Sequence, residues 1–508
     1  MPAAPRSLPD HPDLRYLKLE AKRRHAAGEF PNLHDAQTAI AREHGLPSWA
    51  VLKQRVTAEL DGHALIQLRW VMSRFAGAGE PGWTAPGDDE LRQHFAQSFL
   101  SALPPAALVP AISRMATVLR GGQLVVRRQS PVQANVELNG MQYIVAVEAE
   151  PPHRLTGLRG LPNGSRVRDP RIANSPVAST GEVPQQVPAI AAEAVAELGL
   201  TGLTVAGAGR DATSPWVLTT GWANLDSGEP LAPGHRFAAP GVTMLVTATA
   251  VLRLVADGRI GLDSRANDHL RAVRLADDTI TVRELLSHTA GVDNPGPRDM
   301  YADTVPELSE LMGPVIACPG PRGVPQPSNG GCGVLGQLVA DLTGLPYAAA
   351  ATQLVLDPLH LRDSVFPGRP ADIGPEAISG YHLTLEGVFQ PVPARIPALQ
   401  AAAGLWSTGA DLVRLGLRWS TLLPRALAHE ALIPQSGPGP GGGRTGLGWI
   451  ISPSGDAAMH AGAGLEATAV LTVRLSDQHT HVVLTSRLMP VADLADRLLS
   501  AFPSAPAS

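Results

Sequence analysis

Hydroxyl, thiol and imidazole side chains occur together in two runs of the second half of the chain. The first run is Ser287-His288, and the second is Ser328-Asn329 with Cys332 three residues further on. A hydroxyl or thiol becomes a catalytic nucleophile only when a base lies within hydrogen-bond reach. Neighbours such as Ser287 and His288 should diverge, because residues three and four apart share a helix face and adjacent ones do not. Neither run therefore supplies an evident activated nucleophile, and a buried Cys332 is more typical of packing.

Metal chemistry has little support in the sequence. The histidines do not occur at HxxxH or similar ligand spacing with carboxylates, so no metal and no cofactor are expected. Cys318 and Cys332 are the only cysteines. Two cysteines are too few for a disulfide scaffold and lack the second pair that zinc needs, so we expect two buried free thiols.

Length and composition predict a soluble protein of several domains. The 508 residues exceed one hydrophobic core and suggest about three units. A formal net charge of -5, with 44% hydrophobic and 17% charged residues, gives no preference for nucleic acid. Residues Met1–Asp10 lack the pattern of a secretory signal, and no stretch reaches about 18 apolar residues. A cytoplasmic protein without a membrane segment is expected.

Residues 1–60 have the periodicity of a helical head. Asp13–Glu29 and Leu33–Leu60 show apolar residues at helical spacing. The run Asp35–Lys53 resembles a short helical module found at the front of some bacterial multidomain proteins. That resemblance implies a docking surface for a protein partner, and the alternative is a helical cap packed on the next domain.

Residues 61–161 change from helical to strand periodicity and predict a small α+β domain. Asn139-Gly140 is a two-residue hairpin turn signal between two of the strands. The domain resembles the cystatin-like or steroid-isomerase-like unit that precedes some hydrolase domains, through Phe95–Pro105 and Leu155–Leu158. The predicted strands are Leu124–Arg127, Ala134–Leu138 and Tyr143–Glu148.

Residues 162–186 have the Pro, Gly, Ser, Asn and Arg composition of an exposed linker. From residue 187 to 508 the order is helix, strands, a helical middle and returning strands. This order predicts an α+β domain with helices packed on the faces of an antiparallel sheet.

Seven stretches of this last domain resemble the serine β-lactamase and penicillin-binding-protein family, which includes class C β-lactamases, D-peptidases and esterases. They occur in the family's order and spacing. The resemblance implies a β-lactamase/transpeptidase-like domain with a helical subdomain. The stretches are Gly221–Leu225, Phe237–Leu252, Leu285–Gly291, Ser328–Leu338, Ala403–Leu412, Gly446–Trp449 and His460–Gly462.

Local patterns agree with two of these placements. Thr281 and Glu284 have the spacing of a capping box ahead of an apolar pair, and Gly291 closes that element. Asp257-Gly258 should stop the helix that corresponds to the nucleophile helix of the family. That helix is apolar on more than one face, which predicts burial.

The resemblance also implies that the catalytic set is missing. The family begins its nucleophile helix with a serine and a lysine three residues apart, so that the amine can take the hydroxyl proton. Gly241 and Met244 hold these positions, and Pro327 replaces the tyrosine that assists proton transfer. No shift of register yields a serine and lysine at this spacing between Phe237 and Leu252. Thr243 should face away, about 200° around the helix from Gly241.

Part of a ligand pocket is nevertheless implied by the same resemblance. The backbone N–H groups at Gly241 and Ala463 match the family's oxyanion hole. Asn329 and His460 match polar pocket residues, although a solvent-bonded strand histidine is an equal alternative for His460. The expected ligand-binding residues are Gly241, Ser328, Asn329, His460, Gly462 and Ala463.

Three hypotheses follow. The first is a pseudoenzyme that binds a small molecule with a carbonyl or carboxylate group, or that serves assembly or regulation. The second is a hydrolase, acyltransferase or cyclase that uses the oxyanion pocket without a covalent serine. The third is an interaction protein that acts through residues 1–60.

Overall fold

A computed structural model describes residues 14–43, 49, 62–119, 123–129, 132–148, 151–210, 212, 214–295, 300–438, 443–464 and 467–502. The chain divides into two compact units. The first comprises Met1–Val136 with Tyr143–Arg159, and the second comprises Glu137–Gln142 with Gly160–Ser508.

The first unit begins with two helices, α1 (Leu14–Ala26) and α2 (Leu33–Glu43). Ala21 packs against Ala36 and Ile40, as the amphipathic pattern predicts. The continuation of the second expected helix to Leu60 lies outside the described residues, apart from Trp49.

Four helices and a four-stranded sheet follow, with strands in the order β1-β2-β3-β4. Asn139 and Gly140 join β2 and β3 with φ values of +50° and +74°, which is the left-handed turn that an Asn-Gly pair favours. The hairpin prediction is therefore confirmed. The elements are α3 (His63–Phe75), α4 (Asp88–His94), α5 (Gln97–Ala102), α6 (Pro105–Leu119), β1 (Val125–Gln129), β2 (Gln133–Leu138), β3 (Met141–Val147) and β4 (Leu155–Pro162).

Residues 162–186, whose composition predicts an exposed linker, contain regular secondary structure. The segment contains a short helix, α7 (Pro170–Ala173), and a strand, β5 (Val177–Thr180), which pairs antiparallel with β7 (Trp216–Asn224). Val177 is 64% exposed. An edge strand of four residues with exposed side chains lacks the hydrophobic alternation by which strands are recognised, so its composition resembles that of a loop.

The centre of the second unit is a nine-stranded antiparallel sheet in the order β17-β18-β19-β20-β21-β6-β7-β5, with β8 beside β7. Strands β20 (Thr468–Arg474), β21 (Thr480–Thr485) and β6 (Gly202–Ala208) are buried at every position. Burial of both faces requires helices on both sides. The outer strands are β8 (Glu229–Pro230), β17 (Arg444–Thr445), β18 (Ile450–Ile451) and β19 (Ala457–Ala463).

Helices cover both sheet faces. On one face lie α8 (Val187–Leu198) and α17 (Ala492–Ala501), whose apolar residues pack on Val205 and Val483. On the other face lie α9 (Val242–Ala256), α12 (Asn329–Thr343) and α15 (Gly409–Arg418), which share a larger core with Ala206 and Leu471. The expected α+β class is confirmed, and α9 ends before Asp257-Gly258 as predicted.

Shorter elements complete the helical middle of this unit. No helix in the described ranges is long and apolar enough to cross a membrane. The remaining helices are α10 (Val282–Leu286), α11 (Leu308–Met312), α13 (Tyr347–Ala351), α14 (Gln400–Ala403) and α16 (Arg425–Ala431), with a 3₁₀ turn at Trp419–Leu422. The remaining strands are β9 (Phe237–Ala238), β10 (Arg274–Leu275), β11 (Tyr301–Ala302), β12 (Val315–Ile316), β13 (Tyr381–Leu383), β14 (Phe389–Pro391), β15 (Ile396–Pro397) and β16 (Trp406–Ser407).

Candidate functional site

Gly241 immediately precedes α9 and has φ of +72°, a conformation that favours glycine. Its backbone lies directly against β19: an added Cβ would overlap the Ala461 carbonyl oxygen and lie 2.7 Å from Gly462 Cα. A Cβ at Gly462 would in turn lie 2.6 Å from Gly241 N. The two glycines therefore allow a backbone-to-backbone approach that leaves no room for a side chain at position 241.

The Gly241 N–H group is already used. It donates to the Ala402 carbonyl at 3.3 Å. An oxyanion role would require this bond to break, because the donor that a ligand would need is bonded to a neighbouring turn. The expected role of Gly241 in ligand binding stays a prediction.

Met244 is 7% exposed and belongs to the large core that α9 shares with the sheet. Its backbone N–H donates to the Gly241 carbonyl at 2.8 Å. A methionine fills such a space without the desolvation cost that an ammonium group would incur there. The position is consequently part of the packed interior and holds no base.

Ser328 caps helix α12. Its Oγ accepts a hydrogen bond from Gly331 N–H at 2.8 Å and donates to the Val292 carbonyl at 3.0 Å. Ser328 is 6% exposed, and its hydroxyl is already bonded within the protein, as is typical of a helix cap. Its expected ligand-binding role stays a prediction. Pro327 is exposed just before it, and Asn329 is half-buried in the first turn.

The loop after α10 is held by its helix cap and by the segment before α12. Thr281 and Glu284 form the predicted capping box. His288 has φ of +56° and is buried. Its carbonyl accepts from Gln326 N–H at 2.8 Å, and its Nδ1 accepts from Ser328 N–H at 3.3 Å. Accepting at Nδ1 places the proton of the neutral imidazole on Nε2.

His460 lies on β19 and is 4% exposed. Neither ring nitrogen has a hydrogen-bond partner within the described part of the chain. Burial, and to a smaller extent the nearby His288, lower the pKa of His460 to about 3. Burial likewise lowers the pKa of His288 to about 4. The interpretation of His460 as a solvent-bonded strand histidine is wrong, since the ring is buried and is neutral at neutral pH.

Ala463 keeps a backbone donor on the open edge of β19. Gly464 N–H donates to the Ala467 carbonyl, and Ala463 pairs with Thr468 in the same antiparallel ladder. Because successive residues of an antiparallel strand point their N–H groups to opposite sides, the Ala463 N–H points away from β20. Ala463 itself is exposed, at the end of β19.

The substitute nucleophiles are unsuited to catalysis. Thr243 Oγ1 donates to the Ala239 carbonyl at 2.8 Å and accepts from Leu405 N–H at 3.2 Å. Ser287 Oγ donates to the Arg283 carbonyl at 2.8 Å. Burial raises the pKa of the Cys332 thiol to about 12, so the reactive thiolate is scarce at neutral pH.

Both cysteines are free thiols, Cys332 buried and Cys318 only partly buried. Among the residues that the structure describes, no group of three or more His, Cys, Asp or Glu side chains could hold a metal ion.

Two contacts that shape this site have no recognisable signal in the sequence. The Ala461 carbonyl faces Gly241, and the Asn294 side chain accepts from Gly330 N–H at 3.0 Å. The contact between Gly241 and Gly462 can be recognised only when the relative positions of α9 and β19 are known. Asn294, which follows Asp293 in a loop, has the residue type that caps helices, but the helix it serves begins 35 residues later.

The second unit is similar to known proteins. The family model described as Beta-lactamase matches residues 187–502. Esterase EstB of Burkholderia gladioli is 31% identical over 263 residues, 43% of this chain and 66% of the esterase. Penicillin-binding protein 4 of Amycolatopsis lactamdurans is 30% identical over 212 residues, 39% of this chain and 54% of that protein. The chain thus spans less than two thirds of either curated relative.

A solved structure of a β-lactamase/D-alanine carboxypeptidase from Pseudomonas syringae has a TM-score of 0.53 at 20% identity, covering 62% of this chain and 98% of that chain. At this identity the likeness establishes the fold. The family model covers more than half of the chain and ends at residue 502, directly after the last helix of the sheet domain. With its serine-hydrolase fold and its esterase and penicillin-binding-protein relatives, the chain belongs to the β-lactamase family.

Proposed function

We propose that this protein is a β-lactamase-family pseudoenzyme, which binds or assembles rather than forming an acyl-serine intermediate. The contact between Gly241 and the Ala461 carbonyl carries the proposal. The position of the nucleophile lacks a side chain and also the space for one. Two further observations support the same proposal. Met244 is neutral and packed in the core, and each nearby hydroxyl already donates a hydrogen bond to a backbone carbonyl; these are the hydroxyls of Thr243, Ser287 and Ser328.

A covalent-probe experiment tests this proposal. The full chain is incubated with a fluorescent penicillin and with a fluorophosphonate, next to an active family esterase as the positive control. We expect labelling of the control and no stoichiometric adduct on this chain by intact mass. One adduct per chain, located on a single residue, would overturn the proposal.

The proposed ligand carries a carbonyl or carboxylate group near the open edge of β19. The outward N–H of Ala463 supplies a donor, and the half-buried amide of Asn329 is a second polar group of the same region of the fold. Backbone donors of this kind hold anionic or polarised oxygens well when water is excluded.

A second candidate function keeps catalysis without a covalent serine. The observation in its favour is the unbonded His460 ring, which is neutral above its lowered pKa and so retains an acceptor nitrogen. Such a ring could act as a base toward water or an alcohol. Turnover of esters, amides or β-lactams that disappears in His460→Ala would support this function, and no turnover across a broad panel would exclude it.

A further inference from the structure

A cavity of about 340 Å³ lies in the second unit between the α15–α16 region and the sheet. None of Gly241, Met244 or His460 lines it. It reaches β19 only at Ala458, two residues before His460. The volume lies in the range of natural small-molecule sites, at its lower end.

Two tryptophans form one wall of this cavity. Trp419 and Trp449 have ring centroids 5.2 Å apart at an interplanar angle of 50°, and they are 5% and 3% exposed. Aliphatic side chains extend the apolar lining, which suits an aryl or branched aliphatic group. They are Leu417, Leu423, Leu432, Val473 and Leu475.

The opposite wall is one face of helix α16 and its cap. Arg425, Ala428, His429 and Leu432 all line the cavity, at the i, i+3, i+4, i+7 spacing that puts residues on a common helix face. Arg425 and His429 are exposed, so the apolar interior has a basic rim.

Arg425 has no ion-pair partner in the described part of the chain, whereas the neighbouring carboxylates are already paired. Glu430 on the same helix binds Arg283 at 2.7 Å, and Asp477 binds Arg474 at 2.6 Å. Ser420, also in the lining, makes no hydrogen bond through its hydroxyl to any residue that the structure describes. The rim therefore offers an unpaired guanidinium, a group that binds carboxylates through paired N–H donors.

We infer that this cavity binds a small carboxylate with an aryl or branched aliphatic body, which sits against Trp419 and Trp449 while its carboxylate meets Arg425. This site is separate from the family's catalytic position. The expected ligand of the cavity is therefore an organic acid. The corresponding neutral amide lacks the carboxylate that Arg425 would bind.

Fluorine NMR of the full chain with para-fluorophenylacetate tests the inference. We expect line broadening that a non-fluorinated aryl acid reverses, and at least tenfold weaker binding of para-fluorophenylacetamide. Arg425→Gln should weaken binding of the acid about tenfold, because the variant removes the charge-assisted hydrogen bonds to the carboxylate. Arg418→Gln is the matched control, because Arg418 is an exposed arginine that does not line the cavity, and it should leave the affinity unchanged.

Two further variants locate the bound probe. Ser420→Trp should fill the cavity and abolish binding, with thermal unfolding measured to confirm a folded chain. His460→Gln should leave binding unchanged, which separates this cavity from the site of the proposed function. Equal binding of acid and amide, an unchanged affinity in Arg425→Gln, loss of binding in His460→Gln alone, or no binding at millimolar concentration would each overturn the inference.

Discussion

At the scale of single residues, glycine at position 241 changes the protein more than the loss of one hydroxyl would. A serine at this point needs a Cβ, and the Ala461 carbonyl occupies the place where that atom would lie. Glycine at position 241 thus allows a closer packing of helix and strand than a residue with a side chain would.

Gly241→Ala should destabilise the second unit more than Gly258→Ala. Both glycines have φ near +70°, but a Cβ at Gly258 would meet nothing within 4 Å. We expect Gly258→Ala to cost about 1 kcal/mol from backbone strain, and Gly241→Ala to cost about 2 kcal/mol more from overlap with β19. Chemical denaturation measures both. Equal costs would show that β19 withdraws freely from the start of α9.

The buried histidines predict a loss of stability in acid. His460 and His288 have folded pKa values of about 3 and about 4, below the ordinary value of 6.5. Below pH 6.5 the unfolded chain binds protons that the folded chain excludes, so stability falls as pH decreases toward those values. Each excluded proton contributes about 1.4 kcal/mol per pH unit.

Unfolding free energies measured between pH 8 and pH 5 test this dependence. His460→Gln should reduce the slope below pH 6.5 by about one proton. An unaltered slope in His460→Gln would mean that the His460 ring is protonated in the folded protein.

At the scale of elements, three segments converge on the candidate site: the start of α9, the start of α12 and the end of β19. The sequence displays the local chemistry that sets two neighbouring bounds, because Asp257-Gly258 ends α9 and Thr281 with Glu284 caps α10. The cap of α12 was not expected from the sequence, although Ser328 precedes an apolar helical run. Strand β5 was not expected either, because its pairing partner β7 lies some forty residues away and its own pattern resembles a loop.

Ser328→Ala should destabilise α12 by about 1–2 kcal/mol, because Gly331 N–H and the Val292 carbonyl both lose a partner. Ser328→Asn should recover part of this loss, since asparagine also caps helices. Denaturant unfolding of the three proteins makes the comparison. A Ser328→Ala variant with unchanged stability but altered ligand binding would support the ligand-binding role.

At the scale of the whole molecule, the family fold is present, and Gly241, Met244 and Pro327 occupy the positions that the resemblance assigns to the catalytic set. The nine-stranded sheet, its helices on both faces and the ordered motifs depend on patterns spread over some three hundred residues, so the sequence predicts them well. Whether the candidate site has room for a side chain depends on differences of a few tenths of an ångström between segments that are far apart in the chain. Gly241 and Gly462 show this limit. Each glycine alone only indicates a flexible backbone, whereas their contact in the fold leaves no space for a side chain at position 241.

Restoring the three family side chains should therefore fail to restore the enzyme. In Gly241→Ser/Met244→Lys/Pro327→Tyr, the new serine Cβ would still collide with the Ala461 carbonyl, and the new lysine would place an ammonium group in the apolar core around position 244. We expect no adduct with a fluorescent penicillin and a lower unfolding midpoint than that of the natural chain. The single variant Pro327→Tyr, at an exposed position, controls for general damage and should unfold normally. One covalent adduct at position 241 of the triple variant would contradict this prediction. It would mean that the contact between position 241 and the Ala461 carbonyl can open and that only the side chains are missing.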